Sequence, residues 1–228
     1  MQLPTEVPVM TLPDVILFPQ AMLPLKIFEP RYRKMLADAL TGHRMFALAM
    51  QKPGSSRGIP VSTAGLGLIR ACVTNRDGTS NLILQGIGRV ELQKAVRYRP
   101  YRVNRVRHLA SSSTSTVTTD ALTTKVLELV GERLQLGFSR SEKALKEMSG
   151  QEGEGSGEPL ALQAFKQVIQ HLTKLEDPEQ LADLVSATLL PDARERLIIL
   201  ETRDLEGRLR FLVRFLMAEI DRQKQNKS

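Results

Sequence analysis

Three histidines, one cysteine, scattered serines and a run of arginines interleaved with tyrosines are the residues of this chain that could do chemistry. His43, His108 and His171 stand far apart, and none falls in the H-x-x-x-H or H-E-x-x-H spacing that sets two imidazoles on one helical face for a metal. They read as surface or loop residues. Cys72 is alone, which excludes an internal disulfide and leaves no partner for a thiolate cluster. Its apolar, strand-like surroundings make it a small packing residue. No G-x-S-x-G elbow is present, and a serine without a base to take its proton is no nucleophile. The acidic pairs Glu152/Glu154 and Glu176/Asp177 fall in a glycine-rich stretch and at a helix start, where solvation and capping account for them. No G-x-x-x-x-G-K-[ST] loop is there to cradle phosphates. No catalytic, cofactor or metal site is expected.

The charge cluster KAVRYRPYRVNRVRH, 94 to 108, is different. Lys94, Arg97, Arg99, Arg102, Arg105 and Arg107 flank Tyr98 and Tyr101, a mixture that could grip phosphates and stack on bases. Strand alternation, however, sends Arg102 to one side and Arg105 and Arg107 to the other. The chain's formal charge of +7 is unevenly spread: residues 1 to 110 hold 16 Lys and Arg against 6 Asp and Glu, whereas the remainder is slightly acidic. This asymmetry fits a nucleic-acid face or a well-solvated basic surface.

Elements must position these residues. LPDVILFPQAMLPLKIFEPRYRKML, 12 to 36, is apolar at first, but Pro13, Asp14, Pro19 and Pro24 break the run that a membrane anchor would need. A soluble, cytoplasmic chain is expected, with residues 12 to 28 forming a first strand and its proline-bent continuation. Val15 to Phe18 would feed the sheet core, and Pro19 and Pro24 would end pairing. After Pro30, the spacing of Tyr32, Met35, Leu36, Ala39 and Leu40 predicts a helix stopped by a left-handed Gly42. GLGLIRACVT, NRDG and SNLILQGIGRVELQKAV predict a hairpin turning at Asp77-Gly78, with a bulge or barrel corner at Gly86 and Gly88. YRVNRVRH closes the sheet.

From SSSTSTVTTD onward the pattern is helical. A helix capped near Thr119 or Asp120 carries Leu122, Val126, Leu129, Val130 and Leu134 on one face. SGQEGEGSGEP interrupts, and Leu162, Phe165, Ile169 and Leu172 resume the spacing. Asp177-Pro178-Glu179-Gln180 opens another helix with Leu181, Leu184, Val185 and Leu189, stopped by Pro191. Leu205, Leu209, Leu212, Leu216 and Ile220 stripe the last one.

The segments TLPDVILFPQAMLPLKIFEPRYRKML, DGTSNLILQGIGRVEL and LADLVSATLLPDARERLIILETRDLEGRLRFLVRFLMAEI resemble, in that order, the N-terminal substrate-recognition domain of the Lon ATP-dependent proteases. The pattern is especially similar to short bacterial Lon-domain proteins without the ATPase and peptidase modules. The resemblance implies an α+β fold: a PUA-like, β-rich pseudo-barrel with one helix over residues 1–115, then a helical bundle over 116–228, together one domain. It also implies a non-catalytic, ATP-independent module, without cofactor or membrane attachment, that binds unfolded or degradation-prone proteins and peptides, with a protease as a further candidate partner. An apolar groove between the two parts would receive them. Phe18, Met22, Leu23, Arg99, Tyr101 and Arg102 are the candidate contacts, and Met10, Met22 and Met35 add adaptable thioethers. The alternative is an RNA- or DNA-binding module using the basic β half.

Overall fold

The computed structural model describes residues 3–55, 58–110, 116–149, 172, 174–175 and 177–225. Six strands form one sheet: β1 (Glu6–Leu12), β2 (Met22–Ile27), β3 (Met45–Met50), β4 (Thr63–Thr74), β5 (Ser80–Arg97) and β6 (Arg102–Leu109). Their order is β2-β5-β4-β3-β1-β6, and a further β5–β6 pairing joins the ends into a closed ring that leaves β2 as an appended edge strand. All neighbours are antiparallel except β1 and β3, whose parallel register (Val9 with Ala47, Leu12 with Met50) is bridged by α1 (Pro30–Thr41). Closure depends on the length of β5. Its first part pairs with β2, and beyond Gly86 and Gly88 the same edge pairs with β6.

Glycine is required at the corner. A Cβ on Gly86 would lie 1.9 Å from the Phe18 carbonyl oxygen, and one on Gly65 would lie 2.1 Å from that of Leu17. Residues 13–21 are therefore not a strand, as the sequence suggests, but a connection that buries Ile16, Leu17 and Phe18 and presses its backbone against two glycines. Gly86 N–H donates to Ala21 O at 2.9 Å and its carbonyl accepts from Gln20 N–H at 2.8 Å. Pro24 does not end pairing either. It sits inside β2 opposite Ile83, which an edge strand tolerates because the missing N–H faces away from the ladder.

Alternation along β3 shows how both sheet faces are buried. Met45, Ala47 and Ala49 join Val7, Val9, Ala64, Leu66, Val90 and Val106 on one side. Phe46 and Leu48 join Leu82, Leu84 and the α1 stripe Tyr32, Met35, Leu36 and Ala39 on the other. The α1 stripe is the one expected, but Gly42 has φ −104°, and the left-handed residue after the helix is Arg44, at φ 58°. The hairpin turn between β4 and β5 follows the sequence reading, with Gly78 at φ 78°.

Four further helices are described: α2 (Val117–Ser149), α3 (Pro178–Leu189), α4 (Ala193–Glu201) and α5 (Leu205–Gln225). The start of α2 lies earlier than expected. Thr116 Oγ1 accepts from Thr119 N–H at 3.2 Å and Thr119 Oγ1 accepts from Thr116 N–H at 2.8 Å, a reciprocal cap three residues upstream of Thr119. Asp177 caps α3 through Glu179 N–H, and Asp192 caps α4 through Arg194 N–H at 2.7 Å. Every predicted α5 stripe residue is buried, and Ile16, Phe18 and Met50 from the β half join the same helical core. The expected apolar stripe at Leu162, Phe165 and Ile169, the acidic pair Glu152/Glu154, Glu176 and His171 lie outside the described residues. Among the described residues, no helix is long and apolar enough to cross a membrane.

Candidate functional site

The register of β2, β5 and β4 places Pro24, Ile83 and Ala71 in one row and Lys26, Asn81 and Val73 in the next. Period-2 alternation turns these residues away from Leu25, Leu82 and Cys72, which pack toward α1. The result is a concavity of about 560 Å³ lined by Pro24, Leu25, Lys26, Ala71, Val73 and Ile83 among others. Val73 is 65% exposed, and Met22, one row further along beside Gln85, is 58% exposed. Aliphatic side chains open to water cost free energy in proportion to their area, so a face like this gains by being covered. Cys72 is half-buried at its edge, packed with the α1 cluster as the sequence suggests.

Cations surround the concavity. Lys26 is exposed in the second row, and Arg70, at a bulge in β4, donates to Gln85 Oε1. Arg76 is exposed in the hairpin turn, and Arg33 of α1 reaches the turn at Gly78. The turn's carboxylate is occupied: Asp77 Oδ1 accepts from Thr79 N–H at 2.9 Å and from Thr79 Oγ1 at 2.8 Å, bonds that hold its pKa below the ordinary value. Among the described residues, no carboxylate lies within ion-pair distance of Lys26, Arg33, Arg70 or Arg76.

The arginine–tyrosine cluster is arranged otherwise. The Arg97 guanidinium lies 4.4 Å from the Tyr101 ring centroid and that of Arg102 lies 5.0 Å from the Tyr98 centroid, so a cation already sits on one face of each ring. Arg105 pairs with Glu6 and Arg107 with Glu91. Tyr101 donates to Asp38 Oδ2 at 2.7 Å, and Asp38 also binds Lys34 at 2.6 Å. Burial and the Asp38 bond raise the Tyr101 pKa, while the bonds from Lys34 and Tyr101 lower that of Asp38.

The candidate contacts thus separate. Phe18 is 0% exposed and Tyr101 4% exposed. Neither offers a surface, because Phe18 belongs to the helical core and Tyr101 to the α1 cluster; this corrects the expectation that they meet a partner. Met22 is open on the β2 face, whereas Leu23 points to the α1 side and is half-buried. Arg99 is exposed at the β5–β6 turn and Arg102 is half-buried.

The groove expected between the two parts is largely filled by the shared core. One cavity that remains there, of about 490 Å³, is lined by Lys52, Ile59, Leu92, Gln93, Arg102 and Glu201 among others, with mixed rather than apolar walls. Burial alone raises the Glu201 pKa there. Deeper in the seam lies a cluster that sequence reasoning missed. Arg89 of β5 donates to Asp183 of α3, and Arg208 of α5 approaches Asp183 Oδ1 at 3.3 Å and Glu179 Oε1 at 3.1 Å. Arg208 is fully buried and the other two lie almost as deep, so burial pushes the Asp183 carboxyl up against the downward pull of both arginines. Nothing local marks these residues. They lie 94 and 25 residues apart, and the one available hint was a polar residue on each apolar stripe.

The chain is similar to known proteins in sequence and in fold. The model of the "ATP-dependent protease La (LON) substrate-binding domain" family matches residues 6–218. A Lon protease of Desulfosudis oleivorans is 24% identical over 227 residues, and one of Dictyoglomus thermophilum is 22% identical over 222. Each alignment covers 96% of this chain and 25% of the relative, so the chain spans about a quarter of those proteins' length. The N-terminal domain of a Mycobacterium avium complex Lon protease superposes with a TM-score of 0.66 at 18% identity, covering 93% of this chain and 98% of that one. A Lon N-terminal domain protein from Xanthomonas campestris gives 0.63 at 19%, covering 93% and 99%. Both likenesses are of fold. With the family model spanning nearly the whole chain, this protein belongs to the Lon substrate-binding domain family.

Proposed function

We propose that the protein is a non-catalytic module that binds unfolded or degradation-prone polypeptides, and that the β2–β5–β4 face is where it holds them. The observation that carries this reading is the apolar concavity of about 560 Å³ with Met22 and Val73 open beside it. A shallow aliphatic face recognises exposed hydrophobic segments by area rather than by sequence, and a methionine at its rim adapts to varied shapes. The non-catalytic reading is supported by the family match, which is to a substrate-binding domain. A cooperating protease is the partner this reading supplies.

The nucleic-acid alternative draws less support. Of the residues that suggested it, Arg97 and Arg102 stack on Tyr101 and Tyr98, and Arg105 and Arg107 pair with Glu6 and Glu91, which leaves chiefly Lys94 and Arg99 for phosphate.

Titration of the protein into a fluorescent, reduced and alkylated model polypeptide tests the proposal by anisotropy. Saturable micromolar binding is expected, lost in Ile83→Asp and retained in a variant on another surface, such as Met217→Asp. Absence of binding, or equal binding by both variants, would overturn the assignment of this face.

A further inference from the structure

Exposed cations without a carboxylate at ion-pair distance also occur elsewhere among the described residues, Lys94, Arg99 and Arg203 for example, but those on the β2–β5–β4 face stand around an apolar concavity. Arg31, Lys34, Arg105, Arg107, Lys125, Arg210, Arg222 and Lys224 each have a carboxylate within 3.3 Å. Lys26, Arg33, Arg70 and Arg76 have none among the described residues, and all are exposed. Unpaired like charges around an apolar floor repel one another, and an anion placed there relieves the repulsion.

We infer that this face selects extended apolar segments flanked by carboxylates, that is, acidic–hydrophobic peptides. The inference deepens the peptide-binding reading above and rests on it. The spacing follows from the register. Lys26 on β2 and Arg70 on β4 stand two strands apart; Lys26 is level with Asn81 of β5, whereas Arg70 is the bulged residue between Ile69, paired with Leu84, and Ala71, paired with Ile83. Sheet geometry puts about 9 Å along the strands and about 10 Å across them between the two backbone positions, a diagonal of about 13 Å. An extended chain covers that span in about four residues. A ligand with acidic residues about four positions apart, and aliphatic residues between them, sets one carboxylate near each cation while its apolar side chains meet Ile83 and Val73. The floor is what favours a peptide over a nucleic acid, since a sugar–phosphate backbone brings nothing to cover it.

Three labelled decapeptides with the same three-residue aliphatic centre, flanked by Glu, Gln or Lys, test this with the full chain. At low ionic strength the Glu-flanked peptide should bind about tenfold more tightly than the Lys-flanked one, the size that two exposed charge contacts supply. Added salt should shrink the difference. The double variant Lys26→Glu, Arg70→Glu should reverse the order, with unchanged circular dichroism confirming that these surface substitutions leave the fold intact. Equal binding of all three peptides would sink the charge preference while leaving the peptide-binding reading in place. No binding of any peptide would sink both. A single-stranded oligonucleotide that displaces the Glu-flanked peptide at comparable concentration would make the rim a phosphate site and overturn the inference.

Discussion

Arginine is set among aliphatic side chains both at the seam between barrel and bundle and around the β2–β5–β4 face. At the seam Arg89 and Arg208 converge on Asp183, with Glu179 beside them, and water is excluded. On the face, Lys26, Arg70 and Arg76 stand in solvent with no carboxylate at ion-pair distance among the described residues, the turn's Asp77 being held by Thr79. A charge whose counter-charge comes from the same chain fixes one part of the fold on another. A charge without one is available to another molecule. The difference lies in the missing acids, not in the basic residues.

Breaking the seam should have the largest effect. Asp183→Ala removes the carboxylate that two buried guanidiniums share, and the unfolding free energy by urea titration should fall by about 3–5 kcal/mol. A fall below about 1 kcal/mol would show that the shared apolar core alone holds the two parts together. Gly86→Ala should follow, since its Cβ would meet the Phe18 carbonyl oxygen at 1.9 Å. The enforced shift should cost about 1–3 kcal/mol. Tyr101→Phe removes the bond to Asp38 and should cost about 1 kcal/mol, measured in the same way. Val73→Asp should change stability by no more than about 0.5 kcal/mol while weakening peptide binding, which separates the open face from the seam.

The pH dependence of Asp38 is the finest test. Its folded pKa lies below the ordinary 3.8, so its contribution to stability is complete above that value. That contribution is lost as pH falls through the lower folded value. Thermal melts of the wild type and Asp38→Asn should therefore converge at the acid end and separate above it.

The elements with strong local signals were legible. The α1 and α5 stripes, the Asp77-Gly78 turn, the Asp177 cap and the glycine corner all follow from spacing and residue type. The stretch from Pro13 to Ala21 misled, because an apolar run with prolines is equally a strand or a buried connection. Gly65 and Gly86, which make room for it, are distant in sequence. Of the candidate contacts, Met22 is the apolar one that lies open, at a bend of the chain, whereas Ile83 and Val73 resemble core residues until the register shows which way they face. Phe18 and Tyr101 were misplaced for the opposite reason, since aromatic residues next to prolines or arginines read as contacts until their burial is known. The ionic cluster at the seam was invisible because its members share only a tertiary position.

Pro24 gives the exposed face a safeguard. An uncapped border on a β-sheet invites foreign chains to extend it rung by rung, the first step toward fibrous self-assembly. With no amide hydrogen to offer midway along β2, that border cannot template a continuous run. Aliphatic side chains can therefore stand open on this face without its border becoming a seed for polymerisation.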